Sequence, residues 1–132
     1  MVNDWKIYYY EDDNNTVPVK EYIDSLAIRD RAKSLAFIGL LETHGPQLPR
    51  PYSDLLEDGI HELRMKLTGT QVRILYFFCY QNSIILTNSF EKHTGAVPKS
   101  EIKIAKERRT DFLSRFSESD IRSEDAKLQR PS

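Results

Sequence analysis

Residues 60–91 contain three strand-like runs joined by two very short connections, and no other feature restricts the fold as strongly. The first run, residues 60–67, alternates between two faces, with Glu62, Arg64 and Lys66 on one of them. The next two runs, VRILYFFC and SIILTNSF, are apolar at successive positions, as is typical of central strands that are covered on both sides. Because the turns at residues 68–70 and 80–82 reverse the chain, neighbouring runs are antiparallel. The sequence therefore predicts a three-stranded antiparallel meander.

Two helices are predicted ahead of this meander, after a short aromatic strand at residues 5–9. Thr16 is placed to cap the first helix, and Pro18 suits its first turn. A second helix is predicted over residues 28–43, because Gly45 and Pro46 follow it. The pattern leaves open whether these are two helices or one helix bent near residues 25–27. The predicted inward-facing residues are Val19, Tyr22, Ile23 and Leu26 in the first helix and Ile28, Ala32, Leu35 and Ile38 in the second.

The remaining segments complete an α+β arrangement. Three prolines within residues 46–51 predict that residues 47–59 are a loop. After Pro98, a helix is predicted over residues 99–116, with an inward stripe formed by Ile102, Ala105, Phe112 and Phe116. The order of strand, two helices, three antiparallel strands and helix predicts a small α+β domain. We expect residues 1–116 to form this single domain and residues 117–132 to form a polar C-terminal tail.

The composition predicts a cytoplasmic protein without a cofactor. Cys79 is the only cysteine, which fits a reducing compartment, and no apolar run approaches the roughly 20 residues of a membrane helix. The N-terminal residues do not resemble a signal peptide. The three histidines are dispersed without metal-ligand spacing, and neither a glycine-rich phosphate loop nor a G-x-S-x-G motif is present. We therefore expect neither a metal nor a cofactor.

The net charge of −1 conceals a separation of charge along the chain. Residues 1–59 contain 6 Lys/Arg against 11 Asp/Glu, a balance of −5, whereas residues 60–116 contain 10 against 5, a balance of +5. The positive part has the sign needed to bind a polyanion such as nucleic acid. The alternative is that the charges are distributed by chance and are simply solvated.

Four cationic side chains come from the predicted meander. In a twisted sheet, Arg64 on the first strand can lie near Arg73 on the second, while Lys92 and His93 end the third. Metal-free RNA cleavage needs a base for the ribose 2′-hydroxyl, positive charge for the phosphorane and an acid for the leaving oxygen. Arginine suits the charged transition state, histidine suits proton transfer near neutral pH, and lysine serves as a charge clamp or, with a lowered pKa, as a base.

Each of these residues also has a purely structural interpretation. Arg64 can pair with Glu62, and Arg73 can form a buried ion pair. Lys92 and His93 can be solvated turn residues, and the stripe of Lys99, Lys103 and Lys106 can be a solvated helix face. From the residues alone, both interpretations remain open.

The segments GIHELRMKLTGTQVRILYFF and NSFEKHTGAVPKSEIKIAKERRTDF resemble the phage-derived Gp49-like, HigB-type toxins of the RelE/ParE superfamily. The resemblance covers roughly residues 5–116, and its most specific parts are ELR, VRILYF, F-x-K and P-x-x-E-I-x-x-A in this order. It implies a RelE-like α+β fold and a type II toxin, encoded beside its antitoxin, that cleaves mRNA on the ribosome by metal-free 2′-hydroxyl attack.

The resemblance also implies roles for individual residues. Arg64 and Arg73 would act on the transition-state phosphate, Lys92 as clamp or base, and His93 as the acid. Relatives often have a second lysine where His93 stands here, and many RelE-type enzymes place a tyrosine or histidine near the C-terminus, which is absent after Phe116. The lysines expected to hold the RNA backbone are Lys66, Lys99, Lys103 and Lys106.

The expected partners follow from the same resemblance. They are a helix-turn-helix antitoxin of the HigA type, mRNA on the ribosome, and operator DNA only through the antitoxin, with no membrane contact. One alternative is a non-catalytic, ParE-like toxin that binds and inhibits DNA gyrase. Another is a module whose main role, together with its antitoxin, is operator binding.

Overall fold

The computed structural model describes residues 5–93 and 95–121. These ranges contain three complete α-helices, a short 3₁₀ turn at Gly45–Gln47, five β-strands and, at their C-terminal end, the helical residues 118–121. The strands are β1 Lys6–Tyr9, β2 Ser53–Glu57, β3 Ile60–Leu67, β4 Thr70–Cys79 and β5 Ser83–Lys92. The helices are α1 Pro18–Ser25, α2 Ile28–His44 and α3 Lys99–Arg115. This arrangement confirms the predicted α+β class. None of the described helices has the length and apolar content needed to span a bilayer.

The five strands form one sheet in the order β1-β5-β4-β3-β2. The β3-β4-β5 meander is antiparallel as predicted, and β1 extends it by pairing in parallel with β5. The predicted loop at residues 47–59 was wrong in part, because β2 pairs with β3 from Ser53 opposite Leu63 to Glu57 opposite Ile60. The segment SDLLE lacks the β-branched and aromatic residues that strands favour. Its pairing with β3, rather than its own propensity, therefore makes it an edge strand.

The sheet separates two hydrophobic cores, so the prediction of strands covered on both faces is confirmed. On the face that we call the α1–α2 face, Leu63, Ile74 and Leu86 pack under α1 and α2. On the opposite, α3 face, Leu75 and Ile85 pack under α3, together with other apolar residues. A sheet buried on both sides needs apolar residues at successive positions, which is the pattern of β4 and β5.

The structure answers the question about the first two helices: they are separate. Leu26 and Ala27 both have extended ψ angles, which break the helical path between α1 and α2. The predicted cap was wrong, because Val17 occupies the N-cap position of α1 and no side chain caps it. Instead, the backbone N–H of Val17 donates to the carboxylate of Glu21 at 3.0 Å. This contact takes over one of the roles that a capping side chain would have.

The predicted inward stripe of α2 was also wrong, except for Ile38. Ile28 is 80% exposed and Leu35 is 47% exposed, while the buried residues are Ser34, Ile38 and Leu41. Burial of the Ser34 hydroxyl is tolerated because the hydroxyl donates to the backbone carbonyl of Asp30 at 2.9 Å. Apolar residues lie on both sides of this helix, and the side that faces the core includes a serine. Helical periodicity therefore predicted that the opposite side, which is exposed, would face the core.

Helix α3 follows its prediction, and polar contacts fix it to the sheet. Ile102, Ala105 and Phe112 are buried, and Phe116 packs against them. In β5, Thr87 is the unpaired residue of a β-bulge, and its carbonyl accepts a hydrogen bond from Arg108 at 2.9 Å. The carbonyl freed by the bulge is thereby satisfied, and the contact anchors the helix over the sheet.

The predicted division at residue 117 remains a prediction. Ile121 is buried in the core under α3, while residues 122–132, most of the predicted tail, lie outside the described residues.

Candidate functional site

Three rows of side chains cross the α3 face of β3, β4 and β5. Residues opposite each other in paired strands share a face, and their Cβ atoms lie about 4.5–5.5 Å apart. The register gives the rows Glu62–Leu75–Asn88, Arg64–Arg73–Phe90 and Lys66–Gln71–Lys92. We call the second the arginine row and the third the lysine row. Three of the four predicted catalytic residues therefore lie in two adjacent rows.

Helix α3 covers the first of these rows, and Phe90 of the arginine row packs against the core under the helix. Leu75 belongs to the core under the helix, and the side-chain amide of Asn88 donates to the carboxylate of Glu101 at 3.0 Å. The arginine row and then the lysine row follow in the direction of the β3–β4 turn. The site thus begins where the first turn of α3 meets the sheet.

Glu62 binds both arginines of the second row. Its two carboxylate oxygens lie 3.0 Å from the Nε atoms of Arg64 and Arg73, respectively. The Glu62 side chain is only 3% exposed, against 7% for Arg73 and 34% for Arg64. A buried carboxylate requires compensating charge, which the two guanidinium groups supply. Both structural interpretations of the arginines are therefore confirmed, yet the same carboxylate gathers the two guanidinium groups into one place.

The contact between Arg73 and Glu62 is an ion pair with poor hydrogen-bond geometry. Although Nε and Oε1 are 3.0 Å apart, neither atom has a well-aligned hydrogen-bond partner among the described residues. Within the part of the chain that the structure describes, the terminal nitrogens of Arg73 make only long contacts, 3.3 Å to the carbonyl of Val72 and 3.4 Å to the amide oxygen of Gln71. The guanidinium of Arg73 is therefore neutralised in place without being saturated by hydrogen bonds.

Arg64 is the more accessible guanidinium of the pair. Besides Glu62, it approaches the carboxylate of Asp54 at 3.5 Å, and Asp54 itself binds Arg50 at 2.7 Å. The hydrogen bond from Arg50 is the main cause that lowers the pKa of Asp54, and the charge of Arg64 adds a smaller effect. Asp54 on the edge strand β2 thus extends the ionic network beyond the three rows.

The lysine row borders an open cleft of about 410 Å³. It is lined by Lys66, Gly69, Thr70, Gln71, Glu91, Lys92 and His93. Lys66 and His93 are exposed and Lys92 is half-buried. Among the described residues, neither lysine has a carboxylate within ion-pair distance. The structure therefore brings the fourth predicted catalytic residue, His93, to the same cleft as Lys92.

The basic stripe of α3 is in a different electrostatic environment. Lys106 forms an ion pair with Glu57 at 2.6 Å and approaches Asp58 at 3.8 Å. The pKa of Glu57 is lowered, first by the hydrogen bond from Lys106 and, more weakly, by the charge of Lys99. Lys106 therefore connects α3 to the β2–β3 turn. Lys99 and Lys103 are exposed, and the RNA-binding role of all three stays a prediction.

Sequence reasoning missed the shared role of Glu62, the contribution of Asp54, and Phe90 as a member of the arginine row. The alternation of β3 already placed Glu62 and Arg64 on one face, which was a usable signal. The position of Arg73 opposite Arg64 depends on register, which no local pattern specifies. His61 does not contribute to this site, because it lies on the other face, stacked against Tyr76 at 5.2 Å.

A comparison of the chain with models of known protein families found a match. The family model described as Phage derived protein Gp49-like (DUF891) matches residues 21–110, from α1 into α3. These residues include all three rows and the cleft. A comparison with curated protein sequences found no match.

Proposed function

Because the chain belongs to the phage-derived Gp49-like family, which is a toxin-like family, we propose that it is the toxin of a type II toxin–antitoxin system. Its proposed activity is that of a HigB-type, ribosome-dependent endoribonuclease that cleaves mRNA in the cytoplasm. The observation that carries this proposal is the pairing of Arg64 and Arg73 on one buried carboxylate, beside the cleft that Lys92 and His93 share.

The charge of the three rows supports a phosphate substrate. Four cationic side chains, Arg64, Arg73, Lys66 and Lys92, share these rows with a single carboxylate, Glu62. Beside the rows lie three further carboxylates, of Asp54, Glu91 and Glu101, and one further cation, Arg50, so the surface retains a small excess of positive charge although its arginines are paired. A guanidinium held by a carboxylate through Nε still has terminal N–H groups to offer to phosphate oxygens.

We assign the chemical steps as follows. The ribose 2′-hydroxyl loses its proton to Lys92 or, if Lys92 acts only as a clamp, to a ribosomal group. The 2′-oxygen attacks the adjacent phosphorus, and the P–O5′ bond breaks. His93 donates a proton to the leaving 5′-oxygen, which leaves a 2′,3′-cyclic phosphate and a 5′-hydroxyl. Arg64 and Arg73 stabilise the additional negative charge of the phosphorane.

The open shape of the site favours a substrate that another body presents. The cleft is shallow and lies at the end of a sheet, so the described residues do not enclose a nucleotide. Within the decoding site, the ribosome would supply the orientation that the small domain lacks.

The proposed partner that restrains the toxin is a HigA-type helix-turn-helix antitoxin, and operator DNA would be bound only through it. Gel shifts of operator DNA with and without the antitoxin test whether the toxin binds DNA only through the antitoxin.

The proposal is tested by inducing variants in cells and mapping transcript ends. Arg73→Lys retains the charge that compensates Glu62 but lacks the guanidinium fork, so we expect cleavage to fall by about a hundredfold. Lys33→Gln removes an exposed cation on α2, on the other side of the sheet, and should arrest growth like the wild type. Thermal unfolding of both purified variants verifies that they fold.

Two results would contradict the proposal. One is equal message cleavage by the wild type and Arg73→Lys. The other is growth arrest with intact messages and an induced SOS response, which would favour the gyrase-inhibiting alternative.

A further inference from the structure

We propose that the arginine row and the lysine row bind two successive phosphates of one RNA strand, so that only the phosphate at the arginine row is cleaved. This inference rests on the proposed function, because it specifies how the same site holds its substrate. It assigns Lys66 and Lys92 to the neighbouring phosphate as a binding pair, so that Lys92 is the clamp and a ribosomal group takes the proton of the 2′-hydroxyl.

The spacing of the rows is the first argument. Arg64 and Lys66 are two residues apart on β3, and Arg73 and Gln71 are two residues apart on β4. Two residues of an antiparallel strand span about 6.8 Å. This length is comparable with the distance between successive phosphorus atoms on a single strand. A strand of RNA running along β3 and β4 therefore meets one row with each phosphate.

The chemistry of the rows is the second argument. The arginine row offers planar donor forks that are held by Glu62, which suits a phosphorane whose geometry must be matched. The lysine row offers two flexible ammonium groups on either side of Gln71, which act as point charges on a phosphate that does not react. The two rows are thus suited to different tasks.

The cleft is the third argument. It opens beside the lysine row and is bordered by Gly69 and Thr70 of the β3–β4 turn. Its volume of about 410 Å³ leaves space for a nucleoside next to the bound phosphate. The side chain of Gln71, between the lysines, can donate to the same phosphate or to the sugar.

The number of phosphates bound can be measured without cleavage. The probe is a fluorescein-labelled 2′-O-methyl hexanucleotide, which lacks the attacking hydroxyl, and its binding to the purified full chain is followed by fluorescence anisotropy at several salt concentrations. For single strands, each neutralised phosphate contributes about 0.7 to the slope of log K against log salt. We expect the double variant Lys66→Gln/Lys92→Gln to lower this slope by about 0.7 and to weaken binding about tenfold at low salt.

Arg29→Gln/Lys33→Gln is the matched control, since it removes two exposed cations from α2 on the other side of the sheet and should leave the slope unchanged. An unchanged slope in the double variant, or no measurable binding by the wild type, would overturn the inference.

A second measurement tests the adjacency of the two phosphates. A 2′-O-methyl dinucleotide has one internucleotide phosphate and a trinucleotide has two, and both are titrated by NMR into the wild type and the double variant. We expect the wild type to gain affinity from the second phosphate and the double variant to lose most of that gain. Equal gains in both proteins would contradict the two-row arrangement.

These outcomes remain separate from those of the cleavage assay. If the binding results are as expected while the wild type leaves messages intact in cells, the endoribonuclease proposal fails and the paired phosphate sites stand. If Arg73→Lys abolishes cleavage but Lys66→Gln/Lys92→Gln does not change the salt slope, the endoribonuclease proposal is supported and the two-row arrangement is wrong.

Discussion

The carboxylate of Asp30 on α2 accepts two hydrogen bonds from Thr68 in the β3–β4 turn, from its backbone N–H at 3.1 Å and from its hydroxyl at 3.0 Å. The two residues are 38 positions apart, and one residue further along the chain this turn borders the cleft at Gly69 and Thr70. The first turn of a helix on one side of the sheet therefore fixes the turn beside which the lysine row begins.

We expect Asp30→Ala to lower the free energy of unfolding by about 1–2 kcal/mol, because it removes both hydrogen bonds. Thr68→Ala removes only the hydroxyl and should cost about 0.5–1 kcal/mol. Urea unfolding of the two single variants and the double variant measures the coupling. Since the contacts are shared, the double variant should be no less stable than Asp30→Ala alone. Strictly additive losses would show that the contact seen in the structure does not contribute.

The shared carboxylate predicts an unequal response to neutral substitutions. Glu62→Gln leaves the buried guanidinium of Arg73 without its counter-charge, while Arg64 retains only Asp54 at 3.5 Å, and we expect a loss of about 3–5 kcal/mol. Arg64→Gln removes the more exposed partner and leaves Arg73 in place, so its cost should be at most about 1 kcal/mol. Chemical denaturation of both variants provides the comparison. Losses of similar size would mean that Glu62 is not the common anchor of the two arginines.

His61 predicts a dependence of stability on pH. Burial lowers the pKa of His61, and the charge of Asp54 only partly opposes this effect. In the unfolded chain the imidazole has its ordinary pKa of about 6.5, so it protonates first as the pH falls. Stability is therefore fully present above pH 6.5 and decreases below it, down to the lowered pKa of the folded state.

The variant His61→Phe retains a ring against Tyr76 and Phe78, and it should flatten the change in urea midpoint between pH 7 and pH 5. His93→Gln is the matched control. Because His93 is exposed, this variant should show the same change in urea midpoint between pH 7 and pH 5 as the wild type. If His93→Gln flattened the profile and His61→Phe did not, the assignment to His61 would be wrong.

We expect slow chemical labelling of Cys79 in the folded chain. Burial, with a smaller effect of the nearby Glu118 charge, raises the pKa of the Cys79 thiol to about 12. Since the thiolate is the nucleophile, alkylation by iodoacetamide at pH 8 should be at least about a hundredfold slower in the folded chain than in urea. Mass spectrometry at timed intervals measures both rates. Comparable rates would indicate that the environment of this thiol differs from the one described.

Most of the architecture was predictable because it depends on local patterns. The antiparallel meander follows from three strand-like runs and two short turns, and the buried stripe of α3 follows from helical periodicity. Both predictions were confirmed. The same rule failed for α2, because Ser34 is buried through a backbone hydrogen bond while Ile28 and Leu35 point outward. It also failed for β2, whose existence depends on pairing with β3.

The amino-acid sequence by itself determined the three-stranded meander, the positions of the helices along the chain and the list of cationic residues, because these properties are set by neighbours along the chain. Only the tertiary structure decided that Arg64 and Arg73 share Glu62, that Lys66 and Lys92 lie in one row, and that Lys106 is occupied by Glu57. The reason is physical: strand register and helix docking are chosen by the packing of the whole core, and a shift of one residue would place these charges on the opposite face.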